Sequence, residues 1–336
     1  MPRLPREQHA LAERFKETLA EDLRAASRIV LAVSGGSDSM ALLELCALER
    51  DLGSDVVAYV DHGLRAEAAG EAAHVRRAAE RHGATFRLAT LDGTKSDEAS
   101  LRERRYAELW RIVEEVDAAF LLTGHTREDQ IETIFHRLVR GAGRKGLSGM
   151  SERRGALARP LLGFRREELR VLLRALSVEW CEDASNRDNR YLRNRLRNEV
   201  IPQLERELGD GCLDHLPEMA RLWADEDAYL ESEAARFGSV AERGAAADRR
   251  LETAVLLSAP RALHTRIAKR WLAARSGRPP ESFTRAELER VIELARCSNG
   301  DRSIDLAGIT VLARDGELRG SPRSPDDGER QGECKG

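Results

Sequence analysis

The chain has 336 residues, 41% hydrophobic and 34% charged, with a formal net charge of −3. That length suggests about two domains, each with its own core, in a soluble globular protein. No apolar run can span a membrane, the start Met1-Pro2-Arg3-Leu4-Pro5-Arg6 lacks a signal peptide's apolar stretch, and a cytoplasmic location is expected.

In chain order, Leu11, Phe15, Leu19 and Leu23 recur every fourth residue and predict an amphipathic helix over 8–26. Strands and helices then alternate: strand 29–33, helix 39–49, strand 55–60, helix 68–82, strand 84–89, helix 98–116, strand 119–123 and helix 127–139. Such alternation predicts a parallel sheet covered by helices on both sides, with ligands beyond the C-terminal strand ends. The glycine-rich stretch 141–149 predicts a flexible basic loop. Helices follow over 164–176 and 189–204. The second carries Leu192, Leu196 and Val200 on one face and Arg190, Arg193 and Arg197 on another, with Pro202 a kink or an end. A long helix over 213–237 reads as a linker, and 241–249 as a boundary. Helices over 262–274 and 285–296 with strands 303–306, 310–313 and 317–319 predict a small α+β domain. The expected division is an α/β domain over 1–212, a helical linker over 213–240, an α+β domain over 241–320 and a disordered tail over 321–336.

Charge is unevenly spread. Between Arg137 and Arg197, sixteen Arg or Lys face seven Asp or Glu, a surplus that suggests a local polyanion site. Only five residues of the chain are lysine, so the cations are arginines, which grip phosphate bidentately and stack on bases. Solvated helix faces explain the surplus equally well, and Arg165, Arg166, Glu167 and Glu168 read as routine surface pairs. The cysteines Cys46, Cys181, Cys212, Cys297 and Cys334 are scattered without a Cys-x-x-Cys, which argues against zinc, an iron–sulfur cluster or a disulfide framework.

The most informative string is Ser34-Gly35-Gly36-Ser37-Asp38-Ser39, lying between the strand 29–33 and a helix. A strand, a glycine turn and a helix N-terminus form an anion site, since glycine admits a phosphate and the first helical amides point at it. No Gly-Lys-Ser/Thr follows, so this is not a Walker P-loop. Asp61 and His62 follow the second strand. Thr123-Gly124-His125-Thr126-Arg127-Glu128-Asp129-Gln130-Ile131-Glu132-Thr133 follows the fourth. Asp129 and Glu132 share a helix face and could bind Mg²⁺ or an ammonium group, although helix-dipole charge accounts for such residues too, above all Glu128. His62 and His125 are candidate ligands or phosphate donors. Residues 182–188 are rich in cap and turn types ahead of the arginine face.

The glycine string resembles the PP-loop of N-type ATP pyrophosphatases, which cleave ATP between the α- and β-phosphates. Taken with 60–65, Glu98-Ala99, Arg102, Arg105-Tyr106, 123–133, 140–150, Arg159-Pro160-Leu161-Leu162 and 182–197, it makes the chain similar to the tRNA(Ile)-lysidine synthetase family over 29–205. Tyr59 and Glu128 depart from the residues common there. The resemblance implies a Rossmann-like catalytic domain and a small tRNA-binding domain. It implies adenylation of the C2 oxygen of the wobble cytidine in an isoleucine tRNA with a CAU anticodon, then displacement of AMP by L-lysine. ATP is co-substrate and Mg²⁺ the expected cation. It makes Ser34, Gly35, Gly36, Ser37, Asp38, Ser39, His62 and His125 candidates for ATP, with Asp38 also the candidate Mg²⁺ residue. Asp129 and Glu132 are candidates for lysine. Arg102, Arg105, Arg140, Arg144, Lys145, Arg193, Asn194 and Arg197 are candidates for tRNA or nucleotide. A homodimer is left open. Alternatives are a tRNA thiolation enzyme, which usually needs a cysteine pair, an amide synthetase, and a non-catalytic tRNA-binding module.

Overall fold

The computed structural model describes residues 6–63, 68–92, 98–182, 192–244, 250–297 and 301–322. The chain divides into two compact units, Met1–Trp223 and Ala224–Gly336.

The first unit opens with α1 (Arg6–Thr18) and α2 (Glu21–Arg24), two helices where one is expected. Strands and helices then alternate: β1 (Ile29–Ala32), α3 (Ser37–Glu49), β2 (Val56–Asp61), α4 (Ala68–Arg81), β3 (Thr85–Thr90), α5 (Glu98–Glu115), β4 (Phe120–Thr123) and α6 (Arg127–Val139). The short α7 (Arg144–Leu147) lies within the expected flexible loop. Two two-residue strands, β5 (Arg153–Arg154) and β6 (Leu157–Ala158), precede α8 (Arg166–Ala175).

The sheet order is β3-β2-β1-β4-β6-β5. Every pairing is parallel except that of β5 with β6. The chain winds from β1 to one side, through β2 and β3, then crosses to β4 on the other. The crevice between β1 and β4 is thus the topological switch point, where open sheets bind ligands. Both faces of the sheet are covered. Ile29 and Leu31 pack with α1, α3 and α8, whereas Val30 packs with Leu109, Ile112 and Val113 of α5. Strands buried on both sides must be apolar throughout, which is why β1 reads as an unbroken apolar run.

After residues 183–191, which lie outside the described residues, α9 (Leu192–Arg195) runs through one π-helical turn, Leu196–Val200, into α10 (Ile201–Leu208). Pro202 does not end this helix. It stands just beyond the π segment, and helical backbone precedes it at Val200.

Helix α11 (Leu216–Ala241) carries the chain into the second unit. There β7 (Glu242–Arg243), β8 (Arg250–Glu252), α12 (Thr253–Ser258), α13 (Arg261–Ser276), α14 (Arg285–Arg296), β9 (Arg302–Leu306), β10 (Ile309–Arg314) and β11 (Glu317–Pro322) form an antiparallel sheet of order β7-β8-β11-β10-β9. Trp271, Ile267, Val291, Ile309, Val311 and Leu318 are its buried centre. Ser321 and Pro322 belong to β11, and the remainder of the expected tail lies outside the described residues. No helix among the described residues is long and apolar enough to cross a membrane.

Candidate active site

The glycine turn leaves β1 with Gly35 at φ +83°, a left-handed backbone that any side chain would strain. Helix α3 begins at Ser37, two residues before the expected start, which puts Asp38 in its first turn. The amides there have no partner within the helix. Ser39 braces the turn from inside: its Oγ accepts from the Ser34 amide at 3.1 Å and donates to the Gly36 carbonyl at 3.0 Å. The Gly35 carbonyl accepts from the Cys181 amide at 2.8 Å. Asp38 accepts from the Ser37 hydroxyl at 3.0 Å and, through Oδ2, from Arg166 Nε at 2.9 Å.

Gly124 follows β4 and packs on that first turn. A Cβ there would lie 2.9 Å from the Asp38 carbonyl oxygen and 3.1 Å from Ser39 Cα, main-chain atoms that cannot swing aside. Beyond it, α6 starts with Thr126 as its cap. The two oxygens of Asp129 divide the work. Oδ2 accepts from the Thr126 amide at 2.9 Å and its hydroxyl at 3.2 Å, closing the helix end. Oδ1 faces three guanidiniums: Arg197 at 2.8 Å, Arg193 at 3.2 Å and Arg166 at 3.6 Å. Glu132 accepts from Arg197 Nε at 2.5 Å and Arg193 Nε at 3.1 Å, and its side chain is only 1% exposed. Glu128 plays the structural part, accepting from the Arg166 amide at 3.0 Å.

Three carboxylates (Asp38, Asp129, Glu132) and three arginines (Arg166, Arg193, Arg197) therefore form one charge-balanced network across the crevice. Burial alone would raise the Asp129 carboxyl, but Arg166, Arg193, His125 and Arg197 outweigh it and hold the group well below the usual carboxylate range. His125 is buried, with Nδ1 2.9 Å from the Thr123 hydroxyl. Desolvation, with Arg102, Arg159 and Arg105 nearby, outweighs the pull of Asp129 and pushes it down to about 3. It is a neutral imidazole at physiological pH. Burial likewise lowers Arg105.

These groups border a cavity of about 600 Å³. Ser34, Gly36, Ser37, Asp38, Ser39, His62, Arg102, Arg105, His125, Asp129, Arg193, Asn194 and Arg197 all line it. Gly35 shapes the turn from behind, and Glu132 sits beneath the arginines. Arg140, Arg144 and Lys145 do not border the cavity. They are exposed at the far end of α6 and on α7, beside Leu138 and Val139, which are 53% and 65% exposed. That segment is held in place: Arg137 donates to the carbonyls of Gly146 and Gly149 at 2.8 and 2.6 Å, and the Gln130 amide pairs with both backbone groups of Met150. Among the described residues no three His, Cys, Asp or Glu side chains gather to hold a metal ion.

A family model for the PP-loop domain matches residues 7–204. The chain is 35% identical to a tRNA(Ile)-lysidine synthase of Synechococcus sp. over 86% of its own length and 89% of that protein's. It is 40% identical to a tRNA(Ile)-lysidine synthase of Thermus thermophilus over 79% of its length, but spans only 52% of that longer protein. The chain belongs to the tRNA(Ile)-lysidine synthase family. Among solved structures, a U34-tRNA thiolase from Methanococcus maripaludis aligns with TM-score 0.53 at 15% identity, covering 65% of this chain and 80% of that one, a likeness of fold alone.

Several cavity residues of this family member escape sequence reasoning. Arg166 reads as surface chemistry in the sequence, yet its side chain is 19% exposed and it sits at the centre of the network. Arg170, four residues on, also lines the cavity. Their signal is i, i+4 spacing on a helix within the most basic stretch. Tyr59, one of the departures from the family pattern, donates to Glu71 at 2.9 Å in the cavity wall. Asn198 joins Asn194 there through the π turn.

Proposed function

We infer that this chain is an ATP-dependent ligase that converts the wobble cytidine of an isoleucine tRNA with a CAU anticodon into lysidine, releasing AMP and pyrophosphate. The observation that carries this reading is the shared cavity at the switch point, where the Asp38 loop and Asp129 face each other across Arg166. A cytidine C2 oxygen leaves poorly, and adenylation turns its departure into loss of AMP. The α3 amides and the Ser34 hydroxyl would meet growing phosphate charge. His125 would offer a neutral hydrogen bond there, not a cation. Asp129 Oδ1 is the site for the lysine ammonium, which must share it with the arginines. Glu132 acts on lysine indirectly, by anchoring Arg193 and Arg197.

Among the described residues, Asp38 has no cluster of three metal-ligating side chains around it. That suits a Mg²⁺ held mainly by phosphate oxygens and water, for which the chain supplies one oxygen. The cation would neutralise charge on the pyrophosphate. Arg102 and Arg105, which line the cavity, would contact the nucleotide or the cytidine, and Arg140, Arg144 and Lys145 would meet the anticodon stem. An anticodon loop presents its bases already unpaired, as an enclosed site requires. The second unit is the proposed further tRNA-binding surface. Thiolation is disfavoured, because Cys181 is the only cysteine bordering the cavity among the described residues.

The decisive experiment is incubation with ATP, labelled lysine and unmodified isoleucine tRNA, followed by nucleoside analysis. Label at the wobble base is the expected result. Unlabelled tRNA would refute the reading.

A further inference from the structure

Helix α8 lies along α3 and projects Arg166 into the crevice between β1 and β4. Its guanidinium reaches both sides: Nε is 2.9 Å from Asp38 Oδ2, and Nη2 is 3.4 Å from the Thr126 hydroxyl and 3.6 Å from Asp129 Oδ1. Arg193 and Arg197 also contact Asp129, but their second carboxylate is Glu132, on the same helix as Asp129. Among the described residues, Arg166 alone ties Asp129 to the carboxylate of the glycine loop.

Resting on the functional reading above, we propose that Arg166 couples the nucleotide site to the lysine site. It competes with the lysine ammonium for Asp129 until a triphosphate on the glycine loop draws it away. The physical grounds are the unequal distances and the nature of the incoming anion. The contact to Asp129 is the longer, so it is the one surrendered. A triphosphate carries more charge than Asp38 and offers the paired oxygens that a guanidinium grips best. Once Arg166 turns toward it, the ammonium meets Asp129 with one competitor fewer. Linkage is reciprocal, so lysine tightens nucleotide binding by the same factor. Arg166 is a positioning residue in this account, since it acts on lysine through Asp129.

The test is calorimetric titration of lysine into the full chain with unmodified isoleucine tRNA present, with and without α,β-methylene-ATP. The analogue is expected to tighten lysine binding to the unaltered chain about 10-fold, within the usual span for coupled sites. Arg166→Gln is expected to bind lysine equally in both conditions, and at least as tightly as the unaltered chain does without the analogue. Arg166→Lys, whose single ammonium reaches one carboxylate at a time, guards against loss of fold in the glutamine variant and should reduce the coupling below about 3-fold. Full coupling in either folded variant, or none in the unaltered chain, would overturn the proposal. Lysidine formation by the same preparation separates the two failures. A chain that makes lysidine without coupling refutes only the role of Arg166, and one that makes none refutes both.

Discussion

Arg193 and Arg197 make one group of arginines, and Arg140 with Arg144 and Lys145 another. The family resemblance makes both groups candidates for tRNA or nucleotide, and the structure treats them differently. The first pair closes on buried Asp129 and Glu132, so its charge is spent inside the protein. The second group stands exposed at the C-terminal end of α6, which carries those two carboxylates near its start, and on α7. Equal charge thus has unequal meaning. Removing a partner from a buried network strands an ion at a cost of several kcal/mol, whereas an exposed cation acts mainly through a screened field.

Four substitutions break or sharpen that contrast, taken from the largest effect down. Asp38→Ala removes the carboxylate at the head of the network. Pyrophosphate release is expected to fall more than about 100-fold while tRNA binding stays near normal. Retained turnover would take Asp38 out of the mechanism. Glu132→Gln leaves two arginines short of a counter-ion. Urea titration is expected to show a loss of about 3 kcal/mol, and an unchanged midpoint would place the pair with the exposed group.

His125 tests the same interior by pH. Burial holds its folded value near 3, below the ordinary 6.5, so the unfolded chain binds the proton more readily. Its contribution is complete above 6.5 and lost as pH falls toward 3, at roughly 1.4 kcal/mol per pH unit. His125→Asn is expected to flatten the stability profile across that window, and an unaltered slope would mean the ring is not buried neutral. The smallest effect belongs to the exposed group. Replacing Arg140, Arg144 and Lys145 together by alanine is expected to lower the salt dependence of tRNA binding by about two in log–log slope, with kcat and stability unchanged. Filter binding across a salt series reads it, and an identical slope would place the anticodon stem elsewhere.

Much of this architecture is legible in the residues. The strands β1, β2 and β4 are largely apolar because both faces are covered, and helical spacing places Asp129 beside Glu132 and Arg193 near Arg197. What spacing cannot say is which faces meet. Arg166 stands between Arg165 and Glu167, both surface residues, and only the packing of α8 on α3 turns it inward. Two-residue strands such as β5 and β6 carry no periodicity at all, and the place of β6 in the sheet is decided by β4, distant in sequence. In Asp129 one oxygen caps the helix, as its place in the first turn predicts, while the other faces the arginines of the cavity.

Gly124 bears no functional group, yet the separation of two functional segments depends on it. Its missing carbon lets the end of β4 rest against the main chain of Asp38 and Ser39. A methyl group added there would push apart the two halves of the machinery while leaving every reactive atom present. Among lesions that silence this protein, an alanine at that spot belongs beside loss of the carboxylates themselves, and chemical intuition about side chains would never nominate it.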